Sequence, residues 1–316
     1  MKSQGPTGAG RAFAAALTLA VDDTTARVTT ALGDRGVRSI LLKGPAIARW
    51  LYLPTEPRAY MDVDLIVGPV DLPYAEQTLA ELHFQRQRFE GLHRIEHADT
   101  WTGGANRISV DLHRSLLGAN AAPHVVWKAL ARDTEVMEVG GADVEVLSIP
   151  GKALHVALHA TQHGASGGKS LADLTRALEQ MSANQWEQSA RLAEEIQAVE
   201  AFAAGLRLLP GGVAVAERLR LPTTTSVKIA LQASSAPPTS LGLERLASTP
   251  GVRARTRLVF AKLFPDPVFM RTWSLVARKG PVGLAASYVL RPIWLLWRIG
   301  PALAARNRAK REARGP

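Results

Sequence analysis

Cysteine is absent from all 316 residues. That gap excludes disulfides, thiolate zinc sites and cysteine nucleophiles, and it agrees with a reducing, cytoplasmic location. Long apolar runs are missing as well. Val282–Ala305 comes nearest, but Arg291, Arg298 and two prolines interrupt it, and a membrane-crossing helix needs ~20 continuous apolar residues. Met1–Gly10 is polar and Gly-rich, and no apolar core of signal length precedes Asp22 and Asp23, so no secretion signal is expected. Acids are scarce at one end only. From Arg278 to Pro316 there are nine basic residues against one acid, which is most of the net charge of +10.

What is present is a globular composition, 47% hydrophobic and 21% charged, of a length that suggests two domains. Residues 11–33 read as an Ala-rich helix. Val37–Lys43 is a short run of strand formers closed by Gly44-Pro45, with Pro suited to the first turn of the helix that follows. Tyr60–Val67 and Arg107–Leu112 are further strands. Asp71 is placed to cap a helix running to Leu82. Thr134–Val139 and Asp143–Leu147 flank Gly140-Gly141, a hairpin signal. After Pro150 strand patterns stop, and helices are expected over 152–163, 170–181, 186–209 and 212–220. The fold class is therefore α+β. A catalytic domain over 1–150 precedes an all-helical domain over 151–278 and a basic, Trp-containing tail over 279–316. Prolines 281, 292 and 301 are expected to break the tail, and Arg306–Pro316 to be disordered.

The chemistry concentrates in three segments. On a strand, residues i and i+2 share a face, so Asp62 and Asp64 project together from an apolar strand. Like charges in such a setting repel and lose hydration, and a divalent cation offsets both costs. Asp111 lies in a similar strand context. If the strands are neighbours, three carboxylates converge on a site suited to Mg²⁺ or Mn²⁺. Such sites serve in-line phosphoryl or nucleotidyl transfer. Lys43 and Gly44 supply a cation and a turn that a polyphosphate can approach, although Lys43 reads equally as a solvated strand end. Arg58 is a candidate phosphate clamp, or an ion-pair partner of Asp62 or Asp64. His155, His159 and His163 fall on one helical face. That spacing could hold a metal, but no acid or cysteine lies at metal-site spacing, so interior packing is the favoured reading. His113 either orients Asp111 or the substrate, or faces outward on the strand.

These segments, Leu42-Lys43-Gly44, Arg58…Asp62-Val63-Asp64 and Asp111-Leu112-His113, resemble an uncharacterised nucleotidyltransferase family within the polymerase-β-like superfamily. His159-Ala-Thr-Gln-His163 followed by Asp173 matches a further feature of that family, and the resemblance spans roughly residues 37–180. It implies a polymerase-β-like N-terminal domain, a metal site at Asp62, Asp64 and Asp111, and triphosphate contacts near Lys43 and Gly44. The implied activity moves a nucleoside monophosphate from an NTP, ATP first among them, to a protein, small-molecule or RNA acceptor. The sequence departs from the wider superfamily in two ways: Pro45 stands where Ser usually follows the glycine, and Gly44 and Asp62 are eighteen positions apart. The alternative is a catalytically inactive binding protein on the same fold. The tail is expected to meet an anionic membrane or nucleic acid, lying peripherally as an interfacial helix or docked on the helical domain.

Overall fold

The computed structural model describes residues 8–56, 58–87 and 97–313. A helix α1 (Gly8–Gly33) leads into strand β1 (Ser39–Leu41), helix α2 (Pro45–Leu51), strand β2 (Asp62–Val67) and helix α3 (Leu72–Glu81). Strands β3 (Phe84–Arg86), β4 (Ala98–Gly103) and β5 (Ser109–His113) follow, then helix α4 (Pro123–Leu130) and the hairpin β6 (Thr134–Val139) and β7 (Ala142–Leu147). The strands form one mixed seven-stranded sheet in the order β3-β4-β5-β2-β1-β7-β6. The α+β class expected from sequence is what the chain adopts. Gly140 and Gly141 both have positive φ, 57° and 83°, the left-handed conformation that a tight two-residue hairpin demands.

The pleat decides what each face of the sheet meets. Val63, Leu65 and Val67 of β2, with Val110 and Leu112 of β5, pack on Val21, Val28 and Leu32 of α1 and Leu79 of α3. Residues of opposite parity, Asp62, Asp64 and Ile66 on β2 with Asp111 and His113 on β5, look to the other side. That side is covered by helices. Pro150 opens α5 (Ile149–His163), which is buried on nearly every face, and Gly164 closes it with φ 62°. Around α5 lie α6 (Gly168–Gln180), α7 (Ala183–Glu195), α8 (Val199–Leu206) and α9 (Pro210–Arg218). One apolar cluster runs from Ile40, Ile66 and Leu147 of the sheet through Leu154 and Leu158 to Trp186 and Phe202. The helices thus share their core with the strands.

The chain ends in α10 (Val227–Ala233), α11 (Pro238–Ser248), α12 (Val252–Leu263), α13 (Pro267–Trp273) and α14 (Pro281–Ala313). Four local expectations change. Residues 186–209 form two helices, because Gln197 adopts φ 55° between them. Asp71 occupies the cap position of α3, but its side chain makes no capping bond. Pro281 starts α14 rather than breaking the chain, and Pro292 and Pro301 lie inside it. Each removes one backbone donor, and burial of Ala302 and Ala309, with Ala309 and Ala305 packed on Ala230 and Leu231, offsets that loss. The segment expected to be disordered continues this helix as far as Ala313. Strands β3 and β4 carry no sequence signal strong enough to foresee.

Gly205 sets how closely α8 crosses α5. A Cβ there would collide with the Ala157 carbonyl and crowd Thr161 Oγ1 at 2.8 Å. Helix propensity favours Gly205→Ala by ~1 kcal/mol, whereas overpacking costs ~1–3 kcal/mol. Because backbone is what must move, the steric term wins: the variant should melt several degrees lower in thermal unfolding followed by circular dichroism. A higher Tm would show the crossing to be loose.

Candidate active site

Strands β2 and β5 are parallel neighbours, in a register that sets Asp64 beside Asp111 and Ile66 beside His113. The strand contact on which convergence of the carboxylates depended is therefore present. Asp64 is 1% exposed. Its Oδ1 accepts a hydrogen bond from Lys43 Nζ at 2.8 Å and lies 3.0 Å from His113 Nε2. Its Oδ2 has no partner among the described residues. Asp111 Oδ1 accepts from Thr100 Oγ1 of β4 at 2.6 Å. Asp64, Asp111 and His113 each offer one ligand atom within 4.8 Å of the others. Asp62 sits one pleat away on the same face, half-buried, outside that group.

Burial alone would raise the Asp64 pKa, but the Lys43 charge and the His113 hydrogen bond outweigh it and hold the carboxyl well below the usual carboxylate range. Asp62 shifts the opposite way, raised by burial and by the Asp64 charge, against a weaker pull from Lys43. Two acids on one face are thus pushed apart in acidity, as sites that assign different work to like groups do.

The sequence placed Lys43 at a strand end. In the structure it is tied to Asp64. Gly44 has φ 58° and caps α2 against the Tyr60 ring, so the turn is one that Gly favours. Arg58 is placed differently from expectation. It pairs neither with Asp62 nor with Asp64. Its Nε and Nη2 donate to both oxygens of Asp173 on α6, at 2.8 and 2.7 Å, and Tyr52 Oη donates to the same carboxylate at 2.7 Å. Both members of the ion pair are almost fully buried. A phosphate contact from Arg58 would require this pair to open, so the guanidinium is a tie between the loop before β2 and the helices.

Of the helical histidines, His155 and His159 line the same cleft as Lys43, His97 and His113. His155 is buried, and neither of its ring nitrogens has a hydrogen-bond partner among the described residues. The His159 and His163 Nε2 atoms are 3.0 Å apart. Burial first, then the Lys43 charge among their neighbours, lowers the pKa of all three, and His97 falls to about 3 through burial and the proximity of His113 and Lys43. Sequence reasoning missed His97 and Thr100 and left His113 undecided. The i+2 spacing from Asp111 would have put His113 on the carboxylate face.

The family model of the uncharacterised nucleotidyltransferases matches residues 10–210. The chain belongs to that family. No curated protein matches it. Among solved structures, it resembles the antibiotic-resistance factor ANT(2'')-Ia at 16% identity and TM-score 0.41, over 59% of this chain and 95% of that one. A nucleotidyltransferase-like antigenic protein of Paracoccidioides brasiliensis aligns at 13% identity and TM-score 0.36, over 58% and 91%. The Thermotoga maritima CCA-adding enzyme aligns at 11% identity and TM-score 0.27, over 94% and 85%.

Removing Asp173 leaves the Arg58 charge buried and unpaired. Asp173→Ala should therefore cost ~3–5 kcal/mol in denaturant unfolding. Glu56→Ala, which removes the exposed pair with Arg176 at 2.9 Å, should cost under ~1 kcal/mol. Equal losses would contradict the assignment. The buried histidines predict a pH dependence with a definite sign. The unfolded chain binds protons near pH 6.5, which the folded imidazoles refuse, so stability falls as pH drops below about 6.5. Exchanging the unpartnered ring for an apolar side chain, His155→Leu, should narrow the gap in Tm between about pH 7.5 and about pH 5. An unchanged gap would show that this ring is protonated in the native state.

Proposed function

We propose that the chain is an active nucleotidyltransferase that moves a nucleoside monophosphate from an NTP, with ATP the first candidate, to an acceptor hydroxyl or phosphate, releasing pyrophosphate. The observation that carries this reading is the in-register pair Asp64 and Asp111, with a buried Asp64 oxygen left unpartnered. A buried acceptor without a donor costs ~1–3 kcal/mol, so its persistence points to a ligand of opposite charge. The donor set fits Mg²⁺ or Mn²⁺: the Asp64 and Asp111 carboxylates on one face, with Asp62 a pleat away as a third oxygen source. When bound, such ions lower the pKa of an attacking hydroxyl and neutralise charge on a reacting phosphate.

The chain's own residues divide the remaining work. Asp64 is kept ionised by Lys43 and His113, so it is ready to ligate at neutral pH. Lys43 is positioned to exchange Asp64 for a phosphate oxygen once Asp64 is otherwise neutralised. The Gly44 turn admits a polyphosphate beside Lys43. Thr100 fixes Asp111, whose part is to hold a metal ion and to orient the acceptor hydroxyl. Helix α5 lines the cleft and α6 brings Lys169 within electrostatic reach of Asp62, and these helices are where a protein, a small molecule or an RNA end would be told apart. On this reading residues 1–150 carry the catalytic groups, and 151–278 supply the acceptor side.

The test is transfer of label from each α-³²P-labelled NTP with Mg²⁺ or Mn²⁺, self-labelling of the protein included. Asp64→Asn should abolish transfer while retaining the fold. Thr100→Val, which frees Asp111 to turn, should lower it ~10–100-fold. If no nucleotide binds by calorimetry in the presence of either metal, the chain is instead a binding protein that has kept the fold. Pro45, in the place of the usual Ser, would then be the residue to blame.

A further inference from the structure

We infer that the C-terminal helices are an interfacial membrane anchor, seating the protein on anionic lipid through one face of α14. This rests on surface chemistry remote from the carboxylates and does not depend on the proposed reaction. The 33-residue helix is sided. Ser287, Arg291, Ala302 and Ala309 are buried, and Arg291 Nε donates to the Lys262 carbonyl at 2.9 Å while its guanidinium lies over Phe269 and Trp273. At 100° per residue, the opposite face collects Val282, Val289, Ile293, Leu296, Trp297 and Leu303. These six are exposed by between 41% and 83% of their surface. No Lys, Arg, Asp or Glu lies on that face from Val282 to Leu303, because both arginines in the interval point to the other side. Isolated exposed apolar residues are ordinary, but a continuous stripe spanning roughly 30 Å of helix marks a contact surface.

Charge indicates which contact. Residues 251–316 hold fourteen Lys and Arg against two acids, so the other 250 residues carry a net charge of −2. Arg253, Arg255 and Arg257 of α12, Arg278 and Lys279 before α14, and Arg311 near its end are exposed. They lie beyond both ends of the apolar stripe in sequence. A stripe that enters the acyl boundary, with cations left to meet headgroups, is the pattern of a helix lying in a lipid interface. Trp297, 78% exposed, has the amphipathic ring favoured at that depth. No helix among the described residues is long and apolar enough to cross a membrane. Nucleic acid would use the cations and leave the stripe in water. A second copy would cover the stripe while bringing like charges together.

The test is co-sedimentation of the full chain with vesicles of phosphatidylcholine alone and of phosphatidylcholine with phosphatidylglycerol, alongside Ile293→Asp/Trp297→Asp and Arg253→Glu/Arg255→Glu/Arg257→Glu variants. Circular dichroism and Tm confirm folding, and light scattering gives the oligomeric state. The expected result is binding to the anionic vesicles with a blue shift of Trp fluorescence. Binding should be at least tenfold weaker on neutral vesicles and in either variant. Failure of the folded wild-type protein to sediment overturns the inference, as does sedimentation that the double variant leaves unchanged. A dimer that only the Ile293/Trp297 variant dissolves, without vesicle binding, would give the stripe to a second copy. RNA binding without vesicle binding would give the cations to nucleic acid. Since these substitutions are remote from Asp64, nucleotide transfer should be unaffected, so failure here leaves the catalytic reading intact.

Discussion

A carboxylate that is 1% exposed must be compensated, and the compensation of Asp64 organises much of this fold. A buried ion without a partner loses its hydration at a cost of several kcal/mol. Lys43 and His113 supply that partnership, and each comes from a different strand region. Lys43 follows β1, Asp64 is on β2 and His113 ends β5, so three adjacent strands of the sheet are tied at one point. The tie uses only one of the two Asp64 oxygens. A site built for stability alone would satisfy both or replace the set with apolar residues, which is often neutral or better. Leaving Oδ2 unpartnered is a cost that makes sense when something arrives to meet it.

The second tie is Arg58 with Asp173 and Tyr52. It joins the loop before the carboxylate strand to α6, and so fixes the helices over the same face of the sheet that carries the acids. Burial holds the Tyr52 hydroxyl proton, with the Asp173 hydrogen bond adding to the effect, at a pKa of about 12. That network pairs one cation with one anion and so carries no net charge. Lys43 is the cation tied to Asp64, and burial lowers the pKa of the His97, His155 and His159 imidazoles beside it. On the proposed reading, the cleft would bring the Lys43 charge to an anionic substrate while these imidazoles add little repulsion to an arriving ion.

Much of this was legible in the residues. The i, i+2 spacing of Asp62 and Asp64, the apolar flanks of Asp111 and the Gly140-Gly141 turn are local signals, and local rules read them correctly. The ion-pair partner of Arg58 was misjudged because it lies 115 positions away on a helix, and no pattern in the chain announces such a pair. Thr100 was invisible for the same reason: it matters only through the β4–β5 register that sets it opposite Asp111. His113 lay within reach of strand parity alone. The tail was misread in the opposite direction. Pro292 and Pro301 are strong local breakers, but buried alanines and the Arg291 contacts hold the helix through them, so tertiary packing overrode propensity.

The same reasoning explains why Asp62 is the least settled of the three acids in physical terms. It shares the face of Asp64, yet among the described residues no hydrogen bond to it is formed, and burial and the Asp64 charge both disfavour its ionised form. Asp64 and Asp111 have protein partners that hold their geometry in advance. Asp62 meets repulsion from Asp64 and Asp111, relieved in part by Lys43 and Lys169. A cation placed between the two carboxylates would reverse the sign of that interaction and draw Asp62 into the site. The protein thus presents one fixed pair of carboxylates, Asp64 and Asp111, and a third, Asp62, whose charge its surroundings disfavour. On the proposed reading, an entering ion would favour the charged form of Asp62, so that ion entry and completion of the site would be coupled.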